Sequence, residues 1–424
     1  MVDRQRWLIP LTIVIVALAL RLGAAYWWQE RMGSAQRFAF GDSESYWVLA
    51  RTIAQGQPYE YGAGMRIFRM PGYPIALAAL FALAGDDPPA MWARGLGAVL
   101  GTTAVLCVMV LARQLFDRST ALVAGALAAV YPGAISMSVF ILSEVLFGPV
   151  MVLQLVCWIA AGRTTSKSTQ HGLACLAGFL SGCATLARPS WLLFAPFALV
   201  WLSASDRPRR RQLAVGFTAL AVMMLTLAPW WIRNYRLTGH LVPTTLQVGA
   251  SLYDGWNPRA TGASDMDFVP AFIAEQQQCD ARAQGIVHST FEYRLDQRLR
   301  RAALTWASNH PVRVIELMGI KFWRMWSPWP NAADMQGWVF RLAVLCGYTP
   351  LAALGAWCLV RNWRRGWAYQ LCLLPALYFT FLHVIFVSSI RYREPAMLPW
   401  IVLAAGSLTS GWHVVQRTVR VRDA

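Results

Sequence analysis

Ten apolar runs, divided by short polar or arginine-bearing stretches, limit what this chain can fold into. They cover residues 7–26, 91–115, 120–131, 136–161, 172–187, 190–203, 213–232, 338–360, 367–388 and 395–412. Hydrocarbon offers no water to backbone N–H and C=O groups, so runs of this kind close their hydrogen bonds within themselves, as helices. A crossing takes roughly 17–25 residues; the runs 120–131 and 190–203 fall short of that. Tyr131-Pro132-Gly133 and Arg188-Pro189 are turn sequences that separate neighbouring runs into hairpins. The run 74–84 is too short to cross and reads as a helix lying at the membrane interface.

The expectation is an all-α integral membrane protein with about 10 (10–12) transmembrane helices, built as one domain over residues 1–424. A first outer loop covers 27–90, and a long outer segment, 233–337, precedes the last three spans. Within that segment 270–283 and 290–308 read as charged helices. Residues 311–326 read as an amphipathic one, with Ile315, Met318, Phe322 and Trp326 set against Arg313, Lys321 and Arg324. No internal repeat or low-complexity tract interrupts the chain.

Composition excludes other classes. With 57% hydrophobic and 14% charged residues, the chain is too apolar for a soluble globular protein. The net charge of +17 comes almost wholly from arginine, with Lys167 and Lys321 the only lysines. These charges sit in short loops between apolar runs, which points to membrane topology and lipid headgroups and away from nucleic acid. With the N-terminus in the cytoplasm, every inner segment is basic: Arg4 and Arg6, Arg113 and Arg118, Arg163 and Lys167, Arg207 to Arg211, Arg361 to Arg365, and Arg417 to Arg422. Both termini then lie in the cytoplasm. The first run resembles the apolar region of a signal peptide but has no convincing small-residue cleavage site, so an uncleaved first span is expected. Of eight cysteines only Cys279 lies in a clearly polar region, and no CxxC occurs, so neither a disulfide framework nor a zinc site is expected.

Chemistry concentrates in the first outer loop. Gly41-Asp42-Ser43-Glu44-Ser45-Tyr46 is acidic in an apolar chain, and the basic-aromatic patch Arg66-Ile67-Phe68-Arg69 follows it. A carboxylate at a membrane edge can take a proton from a hydroxyl, and an arginine can hold a phosphate. An N-cap role for Asp42 or Ser43 fits the same residues, with Glu44 in the first helical turn. The segment Ser389-Ile390-Arg391-Tyr392-Arg393-Glu394 places two arginines in a short outer loop, against the positive-inside trend, and phosphate binding would explain them. Arg233, Lys321 and Arg324 also fall on the outer side, as candidate contacts to an anionic lipid or as interface anchors. Glu144, near the outer end of its apolar run, reads as functional, with shaping the cavity or contacting Arg188 as the alternatives. His383 reads as a packing histidine. Gly95, Gly97 and Gly101 read as helix-packing positions, since no strand precedes them. Nothing in the spacing indicates a metal.

The order of these motifs resembles the GT-C superfamily of glycosyltransferases, in particular the group of protein mannosyltransferases, aminoarabinose transferases and RgtA-like enzymes. The matching residues are Gly41-Asp42 with Tyr46, then Arg69-Met70-Pro71-Gly72-Tyr73-Pro74 and Arg94-Gly95. Further on come Ser143-Glu144-Val145, Ala187-Arg188-Pro189, Arg233-Asn234 and Arg391-Tyr392-Arg393-Glu394-Pro395. Many such enzymes carry adjacent Asp and Glu in the first outer loop; here Ser43 stands between Asp42 and Glu44.

The resemblance implies a bundle with interfacial helices in the first loop, and a membrane glycosyltransferase that works on a polyprenyl-phosphate sugar. The acceptor would be a hydroxyl of a lipid, glycan or protein, as in glycan or lipopolysaccharide biosynthesis. Transfer would occur with inversion on the periplasmic face of a bacterial inner membrane. It implies Asp42 and Glu44 as catalytic residues. Arg391, Arg393, Arg69, Arg66 and Lys321 would be phosphate ligands, and Tyr46, Glu144 and Arg233 would line the cavity. No cofactor is required, and a divalent cation is compatible but not indicated. A transporter or flippase of a lipid-linked sugar is the alternative.

Overall fold

A computed structural model describes residues 2–33, 37–62, 64–204, 210–282, 289–331 and 335–422. Arg207 and Arg209 lie outside these, and the side chains of Arg4, Arg6, Arg365, Arg417, Arg420 and Arg422 are not described. The helices in order are α1 (Val2–Met32), α2 (Gly41–Ala54), α3 (Gly72–Ala84), α4 (Ala90–Leu115), α5 (Arg118–Val130), α6 (Pro132–Val139), α7 (Glu144–Arg163), α8 (Lys167–Ala187) and α9 (Phe194–Ser203). After them come α10 (Arg210–Thr238), α11 (Val248–Gly255), α12 (Val269–Arg282), α13 (Phe291–Asn309), α14 (Pro311–Trp326), α15 (Trp338–Asn362), α16 (Trp367–Ile385) and α17 (Glu394–Arg422). Among the described residues there is no β-strand, only an isolated bridge between Tyr61 and Met65.

The protein is an integral membrane bundle. Six described helices, α1, α4, α7, α10, α15 and α16, are long and apolar enough to cross a membrane. The pair α5 and α6 passes the same test together but bends by 54° at Tyr131-Pro132. Proline has no N–H to give and disfavours helical geometry in the residue before it, so Tyr131 is extended and the axis turns there. The run 136–161 is not the continuous helix its apolarity predicts. It breaks at residues 140–143, leaving Glu144 in the first turn of α7, where the positive helix end favours an acid. The run 213–232 extends to Thr238.

α4, α7, α8 and α10 pack side by side, and α17 closes the bundle against α15, α5 and α4. Small residues let these helices approach. A side chain at Gly97 would stand 2.2 Å from the Ser138 carbonyl oxygen, and one at Gly101 2.1 Å from the Ser138 hydroxyl. Gly95 has open space around its Cα. The interfacial helices of the first loop, α2 and α3, pack on each other.

α14 is amphipathic, as its sequence pattern predicts. Leu317, Lys321 and Met325 turn inward, whereas Val312, Ile315, Phe322 and Trp323 are exposed. An apolar face turned away from the protein suits a helix that lies against lipid.

Gly72 sets where α3 sits. A Cβ there would lie 2.6 Å from the Leu186 carbonyl carbon and 2.7 Å from the Ala187 nitrogen, both backbone atoms of α8 that have nowhere to move. Overpacking of this kind costs about 1–3 kcal/mol. Gly72→Ala is therefore expected to lower the thermal unfolding midpoint in detergent, whereas Gly95→Ala should not. Equal midpoints for the two variants would refute the close approach.

Candidate active site

Five charged side chains of alternating sign meet at one end of the bundle. α2 starts at Gly41 with Phe40 as its cap residue and no side-chain cap bond, so Asp42 falls in the first helical turn and its carboxylate is free to point elsewhere. Oδ1 accepts from Arg69 Nη2 at 2.7 Å and Oδ2 from Arg391 Nη2 at 2.9 Å. Arg391 Nε lies 2.9 Å from Glu144 Oε1, and the same oxygen lies 2.7 Å from Arg188 Nη1. The chain of contacts thus runs Arg69, Asp42, Arg391, Glu144, Arg188, and each member comes from a different element.

Exposure is greatest at Asp42 and least at Glu144. The Asp42 side chain is 33% exposed, Arg391 16% and Glu144 2%. A buried carboxylate of this kind needs cations and hydrogen bonds to survive desolvation, and Glu144 has two guanidiniums. Partial burial alone would raise the pKa of Asp42. The Arg69 and Arg391 guanidiniums outweigh it and hold the carboxyl well below the usual carboxylate range. Burial would lower the pKa of Arg391, but Glu144 and Asp42 keep it fully charged.

Neutral groups fix the guanidiniums in place. Arg69 Nε donates to Ser45 Oγ at 2.9 Å and Nη1 to Gln247 Oε1 at 2.8 Å. The Arg69 guanidinium also lies 5.2 Å from the Tyr46 ring centre. Tyr46 donates its hydroxyl to Ser143 Oγ, which in turn donates to Glu144 Oε2. Arg391 and Arg188 face the Tyr392 ring at 5.0 and 5.3 Å. That ring is stacked on His383, with centres 4.1 Å apart, and His383 Nδ1 contacts the Val387 carbonyl oxygen at 3.0 Å.

The sequence-derived candidates divide into two sets. Asp42, Arg69, Arg391, Glu144 and Tyr46 come together. Glu44 stands exposed on α2, away from the charge chain. Arg66 pairs with Glu60 at 2.8 Å on the surface. Arg393 is wholly enclosed, giving Nη1 to the Met325 and Ser327 carbonyl oxygens and stacking 3.6 Å from the Tyr348 ring centre. Lys321, also fully buried, donates Nζ to the Gly255 and Ile385 carbonyl oxygens. Arg324 approaches the Ser388 carbonyl oxygen. Arg233 donates Nη2 to the Tyr59 and Arg66 carbonyl oxygens, so it braces the first loop. Gln247 and Ser45 were not foreseen, and no spacing or charge in the sequence marks them. Among the described residues no group of three or more His, Cys, Asp or Glu gathers as metal ligands would.

Comparison with known proteins adds the following. Residues 69–232 match the family model of dolichyl-phosphate-mannose-protein mannosyltransferases. The Archaeoglobus fulgidus oligosaccharyltransferase in the apo form superposes with a TM-score of 0.59 and 15% identity, over 97% of this chain and 52% of that one. The same organism's enzyme with an inhibitory peptide and a dolichol-phosphate gives 0.60 and 14%, over 97% and 51%. This chain thus spans about half the length of those relatives. ArnT from Cupriavidus metallidurans in the apo state gives 0.47 and 14%, over 93% and 78%. No curated protein sequence matches significantly.

Proposed function

We propose, from the premise that this chain is of the GT-C superfamily of membrane glycosyltransferases, that it moves a sugar from a polyprenyl-phosphate carrier to an acceptor hydroxyl at the extracytoplasmic face. The observation that carries this reading is the Asp42 carboxylate, ionised between two guanidiniums and still a third exposed. The acceptor, a lipid, glycan or protein, loses its hydroxyl proton to Asp42 as its oxygen bonds to the anomeric carbon. The bond from that carbon to the phosphate oxygen breaks on the opposite side, its electron pair stays with the phosphate, and the configuration inverts. Arg391 and Arg69 are within reach of the negative charge that grows on the leaving phosphate. The family whose model matches is described by its use of dolichyl-phosphate-mannose, and one oligosaccharyltransferase of the same fold was solved with a dolichol-phosphate; both support a lipid-phosphate donor. The arginine-rich short loops support termini in the cytoplasm and the charge chain on the opposite side of a bacterial inner membrane.

The test uses the purified full chain in vesicles with labelled polyprenyl-phosphate sugars and a mixture of acceptors. Release of the free lipid phosphate with label on the acceptor is expected. Intact donor carried across the bilayer, with no bond broken, would make the protein a flippase instead.

A further inference from the structure

The part of the first loop that presents Arg69 lies in no sheet or helix of its own. Besides Arg233, it is held by α13, more than 200 residues away in sequence. Glu292, buried in the first turn of α13, turns its carboxylate onto two successive backbone amides: Oε2 accepts from Arg66 N at 2.9 Å and from Ile67 N at 3.0 Å. One turn along α13, the buried Asp296 accepts from Gly249 N at 2.6 Å through Oδ1. A Cβ at Gly249 would lie 2.1 Å from the Asp296 carbonyl oxygen, so only glycine lets α11 come this close to α13. The two anchored segments are joined directly where Leu246 N donates to Ile67 O at 3.0 Å. Arg69 lies two residues beyond Ile67, Gln247 lies two residues before Gly249, and those two side chains bond at 2.8 Å. A helix places positions four apart on one face, so Glu292 and Asp296 form a rigid splint at that spacing.

Burying a carboxylate is costly, and burial pushes Glu292 up to about 7. An apolar residue at 292 would avoid that cost but would leave two amides without acceptors. We propose that Glu292 and Asp296 are positioning residues: they set the register of Arg69 and Gln247 against Asp42 and touch neither donor nor acceptor. This rests on the transferase reading above, in which Arg69 and Asp42 act on the donor.

The test combines Glu292→Ala and Glu292→Gln with Arg69→Ala in the full chain. Displacing an oriented group by about 1 Å costs up to about 100-fold. Glu292→Ala is expected to lower kcat/KM for the lipid-phosphate donor at least tenfold, and Glu292→Gln, which keeps one acceptor oxygen, to lose less. In the Arg69→Ala background the loss from Glu292→Ala should shrink below about twofold, because the group being positioned is gone. Hydrogen exchange at residues 64–69 should quicken in Glu292→Ala while α4 stays protected. Equal losses in both backgrounds would overturn the inference, as would unchanged exchange at residues 64–69. If Glu292→Ala does not fold, Glu292→Gln carries the same comparison. If wild type turns over no lipid-phosphate sugar, the transferase reading falls, and the exchange result alone decides whether α13 anchors the loop.

Discussion

Asp42→Asn is expected to abolish most transfer while leaving the donor bound. General base catalysis contributes about 10²–10⁴-fold, so kcat should fall by that order. Asparagine keeps the shape and one acceptor oxygen. The change removes one negative charge from a site that still holds Arg69, Arg391 and Arg188, so KM for an anionic donor should stay level or drop. Released lipid phosphate over time measures the first effect, and donor titration the second. Turnover within tenfold of wild type would remove Asp42 from the base role.

The acidity of Asp42 refines this expectation. Its folded-state value is depressed, so the ion pairs contribute stability above the ordinary carboxylate value and lose it only as pH falls through the lower, folded-state value. A carboxylate that acidic is a poor proton acceptor. When a donor phosphate competes for Arg391 and Arg69, Asp42 loses part of that stabilisation and becomes more basic. kcat/KM for the donor, which reports the free enzyme, should therefore show no acid limb from Asp42 above about pH 5. kcat, which reports the bound state, should show its acid limb at higher pH. Coincident acid limbs would mean that the phosphate does not disturb the pairs.

Arg391→Ala is the second large effect expected. Loss of one group that stabilises charge in the transition state costs about 10²–10³-fold. Arg391 also bridges Asp42 and Glu144, so its loss leaves the deeply buried Glu144 with Arg188 alone. Reduced stability should accompany reduced activity, and the two can be separated. Without Arg391 the row still balances, Arg69 with Asp42 and Arg188 with Glu144, so the thermal midpoint should fall far less than transfer does. Arg391→Lys keeps the charge but lacks the two nitrogens that reach separate carboxylates, so it should rescue only in part. Transfer that falls only in proportion to the folded fraction would mean that Arg391 is structural.

Much of this architecture is legible in the sequence because hydropathy and arginine placement respond to one solvent, the bilayer. The runs at 91–115 and 367–388 fall on α4 and α16 to within a few residues. The break before Glu144 was hidden because Phe140, Ile141 and Leu142 continue the apolar run, and only packing decides where it stops. Arg391 and Arg393 look equivalent in sequence, yet they sit on a single 3-10 turn, Ile390–Arg393. At three residues per turn, positions two apart diverge, and one guanidinium reaches Asp42 while the other is enclosed by backbone. Lys321 misled for a related reason. The amphipathic pattern of α14 shows which residues share a face but not which face meets protein. Gln247 had no signal at all, since its role comes from a contact 178 positions away in the chain.

The backbone contact at Gly72 has a mechanical consequence. The helix that begins there starts three residues after Arg69, and the backbone it abuts ends immediately before Arg188. The outermost cations of the row, Arg69 and Arg188, thus flank one backbone seam, and a substitution that pries α3 from α8 should displace both.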